Sequence, residues 1–356
     1  MTTVNQQDLY DCIMADILAN IDLPWNQRAV VFVESSPGQG KSQIIAQVIR
    51  DLNNNVDFMA RIKTKYGADQ FQLIDMRLVN REPVDLLGLP AINGEMGTVD
   101  WIPPGFLPRP NTAGVFFIDE YSQAPVQMQN SCAQAIHDGV MGTYAFPEGW
   151  QFALAGNRTS DRAGAFAVPS NIRGRTYRLT LEADLEIWAG WAQENEIDVR
   201  VVSFCRFRPD LFVAFDAQAA GSPNPRAWAY TSGVCNQNMA NEKAAAAKIA
   251  GYVGEGAQVE FSAYCRVFAD LPNVPDIVAH PTTALVPDKP DTLFAIATAV
   301  ARHATADNCG ALITYLSRLP AEYSVLGVRD LVRQCEAATE CREFVTYAAS
   351  HSDMVL

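Results

Sequence analysis

The sequence is short of several things, and each shortage excludes a class of protein. It has four histidines, His137, His280, His303 and His351, none at ligand spacing from another. Its eight cysteines, Cys12, Cys132, Cys205, Cys235, Cys265, Cys309, Cys335 and Cys341, include no CxxC pair. Buried, reduced thiols are therefore expected, and neither a zinc site nor a disulfide framework. Positive charge is scarce: 27 Lys and Arg stand against 40 Asp and Glu, a net charge of -13. That balance disfavours a nonspecific grip on nucleic acid or anionic membrane by the molecule as a whole, although a local basic ring in an oligomer escapes such a count. No apolar run approaches the length of a membrane span. The first twenty residues carry Asp8, Asp11 and Asp16 where a secretory signal has a basic start and an apolar run. A soluble, intracellular protein with protein partners is the expectation.

What is present fits a globular chain. Of 356 residues, 49% are apolar and 19% charged, too apolar for disorder, and the length exceeds what one core usually serves. Two domains are expected. Leu9, Ile13, Leu18 and Ile21 fall at roughly helical spacing, and Pro24 ends that helix. A continuously apolar strand follows, Ala29 to Ser35, then a glycine-rich turn and a helix over Lys41 to Leu52 with Ile44, Ile45, Val48 and Ile49 on one face. Further strands are expected over Phe71 to Leu78, Val115 to Asp119 and Trp150 to Gly156, with Thr176 to Leu181 as a fifth. Strands alternating with helices predict an α/β fold, a parallel five-stranded sheet flanked by helices. The segment from Pro83 to Pro110 is too long for a plain connector and too apolar for a linker, so it is either a structured insertion or an interaction loop. After Leu181 the strand signals fade. Helices are expected over Leu185 to Asn195, Ala240 to Tyr252, Val259 to Leu271, Thr292 to Ala304 and Val325 to Glu340. The boundary falls near 182–195, which divides the chain into an α/β core, 1–185, and a mainly helical remainder, 186–356.

The strongest local signal is Ser35-Ser36-Pro37-Gly38-Gln39-Gly40-Lys41-Ser42, because it follows a buried strand and opens a helix. Backbone N–H groups of such a loop converge on phosphate oxygens, and the helix N-terminus favours negative charge. Pro37 to Ser42 are thus the candidate cradle for ATP or ADP, with Lys41 reaching the β- and γ-phosphates and Ser42 a ligand of Mg2+. The first position of the GxxxxGK[ST] pattern is Ser35 instead of glycine. Val115 to Asp119 is an apolar strand ending in two carboxylates, Asp119 and Glu120, which suits a strand tip at a phosphate crevice. Asp119 is the expected partner of Mg2+ and Glu120 the general base that polarises the attacking water. Asn157 lies just past another apolar strand, where an amide orients that water; the plainer alternative is an Asn in a Gly-Asn turn.

With these residues the sequence resembles AAA+ ATPases of the P-loop class, and more narrowly the MoxR-like branch of phage and bacterial ATPases. The resemblance rests on the phosphate loop, Val115 to Glu120, Gly156-Asn157, Glu82 to Pro90, and Pro225-Arg226-Ala-Trp228. It departs from the family at Ser35 and at Ser170-Asn-Ile-Arg173-Gly-Arg175. It implies a helical lid after the α/β core, a ring that is usually a hexamer, and an arginine donated to each site by the neighbouring subunit. Arg175 best matches that finger and Arg173 is the second choice; the plain alternative is that they pair with surface carboxylates. Arg226 resembles the lid arginine that reaches the γ-phosphate, the alternative being an arginine stacked on Trp228. Val140 to Trp150 looks like the hairpin ahead of the sensor strand, with a packing-only role equally open.

The function implied is a Mg2+-dependent ATPase and remodeller or chaperone that acts in the bacterial cytoplasm on a protein partner, by family analogy a von Willebrand factor A domain protein. A nucleic-acid motor is the second reading, which the acidic balance disfavours. A scaffold that binds ATP without turnover is the third, weakened by the presence of Glu120.

Overall fold

The computed structural model describes residues 2–161, 164–237 and 239–351. They divide after Ala183 into two compact units. The first unit is built on strands β1 (Thr2–Val4), β2 (Val31–Ser35), β3 (Phe71–Arg77), β4 (Leu89–Asn93), β5 (Thr98–Ile102), β6 (Ala113–Asp119), β7 (Val140–Met141), β8 (Tyr144–Ala145), β9 (Trp150–Asn157) and β10 (Tyr177–Leu181). Six of these form one sheet in the order β1-β10-β2-β9-β6-β3, with every neighbouring pair parallel. The five expected strands are all present, and β1 adds a sixth at the edge, where Thr2 to Val4 pair with Leu179 to Leu181.

A parallel sheet needs cover on both faces, and the sequence of the inner strands supplies apolar residues to both. Val31, Val33, Val115 and Phe117 point into one core, with the helices α1 (Gln6–Asn20), α2 (Lys41–Asn54) and α3 (Val56–Tyr66) over it. Phe32, Phe116, Ile118 and Leu154 point into the other, against Leu86, Tyr121, Met128, Ile136 and Phe146. That second face is roofed by the short helices α4 (Pro83–Leu87), α5 (Val126–Ser131) and α6 (Ala133–Asp138), and α7 (Ser170–Arg173) leads into β10. The first three helices follow from local chemistry. The side chain of Asn5 caps α1 and that of Asn55 caps α3, while Ile44, Ile45, Val48, Ile49 and Leu52 bury one stripe of α2.

The Pro83–Pro110 region is a structured insertion. It folds as α4 and an antiparallel hairpin of β4 and β5, in which Leu89 lies opposite Ile102 and Asn93 opposite Thr98. The hairpin shows Ile92, Val99 and Trp101 to solvent at 87%, 55% and 42% exposure. The expected pair of short strands before β9 is present as β7 and β8.

The second unit is helical: α8 (Leu185–Glu194), α9 (Val199–Phe207), α10 (Pro225–Asn236), α11 (Glu242–Val253), α12 (Glu255–Ala269), α13 (Val274–Ala279), α14 (Pro290–Arg302), α15 (Cys309–Leu316), α16 (Ala321–Gln334) and α17 (Arg342–Ser350). The single helix expected over Val325 to Glu340 is broken, because Cys335 is extended (φ -141°) and Glu336–Glu340 turns separately as a 3-10 helix. Leu293, Ile296, Ala297 and Val300 of α14 are buried in the core of this unit. Trp228 is fully buried against Phe204 and Phe261, and its indole N–H donates to Leu211 O at 2.9 Å.

Inside the second unit lies an ionic knot. The guanidinium of Arg206, on α9, donates to Asp330 of α16 at 3.0 Å and to Glu186 of α8 at 2.9 Å. The side chains of Arg206 and Asp330 are 1% and 6% exposed, so the charges have little water to fall back on. Removing one partner of such a pair leaves the other uncompensated, at a cost of about 3–5 kcal/mol. Asp330→Ala is accordingly expected to lower the stability of the second unit by that amount in urea unfolding followed by tryptophan fluorescence; a loss under about 1 kcal/mol would mean that water reaches the knot.

Candidate functional site at the strand tips

The C-terminal tips of β2, β9 and β6 lie side by side, and three of the chemically distinctive segments sit on them. Chain leaving β2 turns through Ser36–Gly40 into α2. Gly38 and Gly40 have φ of 81° and 96°, backbone that side-chain-bearing residues rarely adopt, and Gly40 is the residue that starts α2. This is why both glycines are needed, and Ser35 shows why the third is not. Ser35 is fully buried at the end of β2; its hydroxyl accepts from Lys41 Nζ at 2.8 Å and donates to Ser36 O at 2.8 Å. The hydroxyl thus occupies the space as a polar link within the loop. Lys41 is itself only 9% exposed.

One step further along α2, Ser42 Oγ donates to Asp119 Oδ2 at 2.8 Å, across a sequence separation of 77 residues. The other carboxylate oxygen of Asp119 accepts from the backbone N–H of Glu120 at 2.8 Å. A hydroxyl and a carboxylate converging beside a phosphate-loop lysine are hard oxygen donors of the kind Mg2+ takes together with phosphate oxygens and water. The residues present therefore fit that ion. Glu120 has left-handed backbone (φ 55°, ψ 29°), unusual for a residue with a side chain and costly enough to need support from its surroundings. The turn takes the chain out of the sheet at once and leaves the Glu120 carboxylate half-buried at the tip of the strand.

Asn157 ends β9 opposite Ser35 of β2. Its backbone is gripped by the turn that follows Glu120: Ser122 Oγ donates to Asn157 O at 2.9 Å, and Asn157 N donates to Gln123 Oε1 at 3.3 Å. The approach depends on Gly156, where a Cβ would stand 2.4 Å from Ser122 Oγ. Ser122 and Gln123 are thus part of the site's scaffold, although nothing in their local pattern announces it.

Three further residues join the site without having been anticipated. Asp75 and Arg77 are exposed on β3, and Arg77 is the register partner of Asp119. Arg158 follows Asn157 directly and donates to Ser36 Oγ of the loop at 2.5 Å. Gln39, expected in the loop for its backbone, is 3% exposed, and its side-chain carbonyl accepts from Ala183 N at 2.9 Å.

The remaining expected residues are three arginines. Arg173 ends α7 and Arg175 follows it; both are exposed, and neither guanidinium has a hydrogen bond or ion pair among the described residues. Among the described residues, neither is spent on a surface carboxylate. Arg226 belongs to the second unit, as the exposed second residue of α10, while Trp228 is committed to its aromatic core. The four histidines and eight cysteines form no metal-binding group among the described residues, and all eight thiols are free. No described helix is long and apolar enough to cross a membrane.

Comparison with known proteins adds a fold-level likeness. No family model matches the chain, and no curated protein matches it. Among solved structures it is similar to a protein from Cytophaga hutchinsonii assigned as an ATPase, at 14% identity and a TM-score of 0.34 over 100% of this chain and 91% of that one. It is also similar to a RuvB mutant from Thermotoga maritima, at 12% identity and a TM-score of 0.38 over 78% and 75% of the two chains. A third is PCH-2 from C. elegans, at 10% identity and a TM-score of 0.32 over 88% and 70%. At such values the fold class, α/β with a parallel central sheet, stands on this chain's own strand order.

The carboxylates at the tips of β3 and β6 also interact. Although Asp75 is an exposed residue, the protein packed beside its carboxyl desolvates it and raises its pKa; Asp119 and Glu120 raise it further, and Arg77 opposes them. A carboxyl whose folded pKa is raised contributes stability below its unfolded pKa and loses it as pH rises through the folded value, so at neutral pH the ionised Asp75 is a cost. Asp75→Asn is expected to raise Tm at pH 7 and to make no difference near about pH 4, where Asp is half protonated even in the unfolded chain. An equal gain at both pH values in thermal scans would rule out charge as the cause.

Proposed function

We propose that this chain is a Mg2+-dependent ATPase of the AAA+ kind that works as a ring, through a protein partner. The observation that carries the reading is the hydrogen bond between Ser42 and Asp119, with Lys41 preceding one and Glu120 following the other. The reading draws on four residues from two distant segments, Lys41 with Ser42 and Asp119 with Glu120. Lys41 and the loop N–H groups bind the phosphates. Ser42 and Asp119 would hold Mg2+, which when bound neutralises charge on the phosphate oxygens. Glu120 takes the proton of the attacking water, and Asn157, fixed through its backbone by Ser122 and Gln123, orients that water. The reading gives Asp119, which already accepts from Ser42 Oγ and Glu120 N, to the ion and Glu120 to the base.

The ring rests on arginine chemistry. Charge building on the transferred phosphoryl group calls for a cation, and the guanidinium of Arg175, or of Arg173 in second place, unpaired among the described residues, suits donation to a neighbouring subunit's site. In the same reading the second unit is the lid and Arg226 is its γ-phosphate arginine. A hexamer, the MoxR-like branch and a von Willebrand factor A domain partner rest on the sequence resemblance. A protein client is favoured by the β4–β5 hairpin, which exposes Ile92, Val99 and Trp101 and whose only charged residues are Glu95 and Asp100. Those acids would repel nucleic-acid phosphates, so the motor reading is the weaker one.

Lys41→Ala is expected to abolish binding of ADP and turnover of ATP. Glu120→Gln is expected to keep nucleotide binding while slowing steady-state hydrolysis by about 10²–10⁴-fold; hydrolysis at the wild-type rate would remove Glu120 from the role of base. Mixing excess Arg175→Ala subunits with wild type should depress activity below the line set by dilution. A strictly linear response would show that Arg175 serves no neighbour's site.

A further inference from the structure

The side chain of Arg158 reaches three parts of the first unit at once. Its Nη2 donates to Ser36 Oγ in the phosphate loop at 2.5 Å, its Nε to Asp161 Oδ2 at 3.1 Å, and its Nη1 to Glu182 Oε1 at 3.4 Å. The Arg158 side chain is 26% exposed and Asp161 12% exposed, so that pair is only partly screened by water, whereas Glu182, at 60% exposure, makes the weaker, solvated contact. Ser36 is 2% exposed, which leaves its hydroxyl few other partners. A second contact runs parallel to the first: Gln39, also in the loop and also buried, accepts from the backbone N–H of Ala183. Two loop side chains are therefore fastened to Glu182 and Ala183, the last two residues of the unit, one directly and one through a guanidinium.

We propose that Arg158 is a positioning residue for nucleotide, a clamp that sets the shape of the phosphate loop from its entry side by holding Ser36 against Asp161 and Glu182. The proposal rests on the ATPase reading of the loop. The physical case is one of pre-organisation. A phosphate-binding loop works when its N–H groups already converge, and a loop that must be ordered on binding loses affinity by the cost of that ordering. The glycines at 38 and 40 that permit the turn also make it costly to hold, since glycine loses the most backbone freedom. Lys41 bonds Ser35, Arg158 bonds Ser36 and Gln39 bonds Ala183, so that fixed side-chain contacts alternate with the glycines along the loop. The same wiring makes the loop and the segment at 182–183 conformationally dependent on each other: a nucleotide that favours one loop shape favours the 182–183 arrangement that goes with it.

The test is a double-mutant cycle on ADP affinity, measured by calorimetric titration in Mg2+ with the full chain. Arg158→Ala and Ser36→Ala are each expected to weaken ADP about tenfold, the effect of losing one charge-assisted hydrogen bond, and the double variant no more than either alone. In ATP turnover the expected change is in KM, with kcat altered less than twofold, because no reacting atom meets Arg158 in this proposal. Arg158→Lys should recover part of the affinity, since an ammonium can bond Ser36 but cannot also fork to two carboxylates. ADP affinity unchanged in Arg158→Ala would overturn the clamp, and so would losses that simply add in the double variant. Wild-type protein that binds no ADP, or a Lys41→Ala variant that binds it normally, would instead bring down the ATPase reading itself.

Discussion

The first unit depends on one constraint: β6 is buried along its whole length, so that Asp119, buried at its tip, needs polar partners there. Inner strands of a parallel sheet have no wet face, so Ala113–Ile118 are apolar on both sides and leave no place for a carboxylate before the tip. At the tip the sheet ends abruptly. Asp119 bonds Ser42 and the next peptide N–H, and Glu120 takes left-handed backbone to leave the layer. Because β9 separates β6 from β2, the start of α2 must lean across it, about 10 Å of sheet or two strand spacings, for Ser42 to reach Asp119. That places the tip of β9, and Asn157 with it, between the two. The arrangement of the site is therefore a consequence of strand order.

Much of this was legible in the residues themselves. A change from a continuous apolar run to a glycine turn and then to apolar residues three and four apart marks β2, the loop and α2. The apolar run ending in Asp119 and Glu120 marks β6. What could not be read was any contact whose partners are far apart in sequence and ordinary in type. Ser122 and Gln123 look like surface residues of a turn, and their grip on Asn157 exists only because β9 lies beside β6. Arg158 looks like a solvated arginine after a strand. Asp75 and Arg77 sit on an alternating strand whose exposed residues gave no hint that Asp119 is alongside.

The second unit shows a different limit. Where helices pack on several sides, the apolar stripe that betrays a helix widens until it has no edges. Cys309–Leu316 is almost wholly apolar and carries no helical period, and α9 is rich in valines that read as strand. Neither announces itself as a helix for that reason, while α14, with a clear apolar side, does. The break at Cys335 has no sequence signal because the apolar pattern runs on past it.

The β4–β5 hairpin begins and ends at paired residues, Leu89 opposite Ile102, so its two points of attachment are neighbours in space. It forms its own two-stranded sheet and lends no strand to the one that carries Asp119. Gly88 marks the seam, since a Cβ there would lie 2.2 Å from Ile102 O. A loop attached in this way can be exchanged for another of different length and surface while β3 and β6 keep their register. The length and surface of the hairpin are thereby free to diversify between close variants while Ser42, Asp119 and Asn157 stay where the sheet puts them.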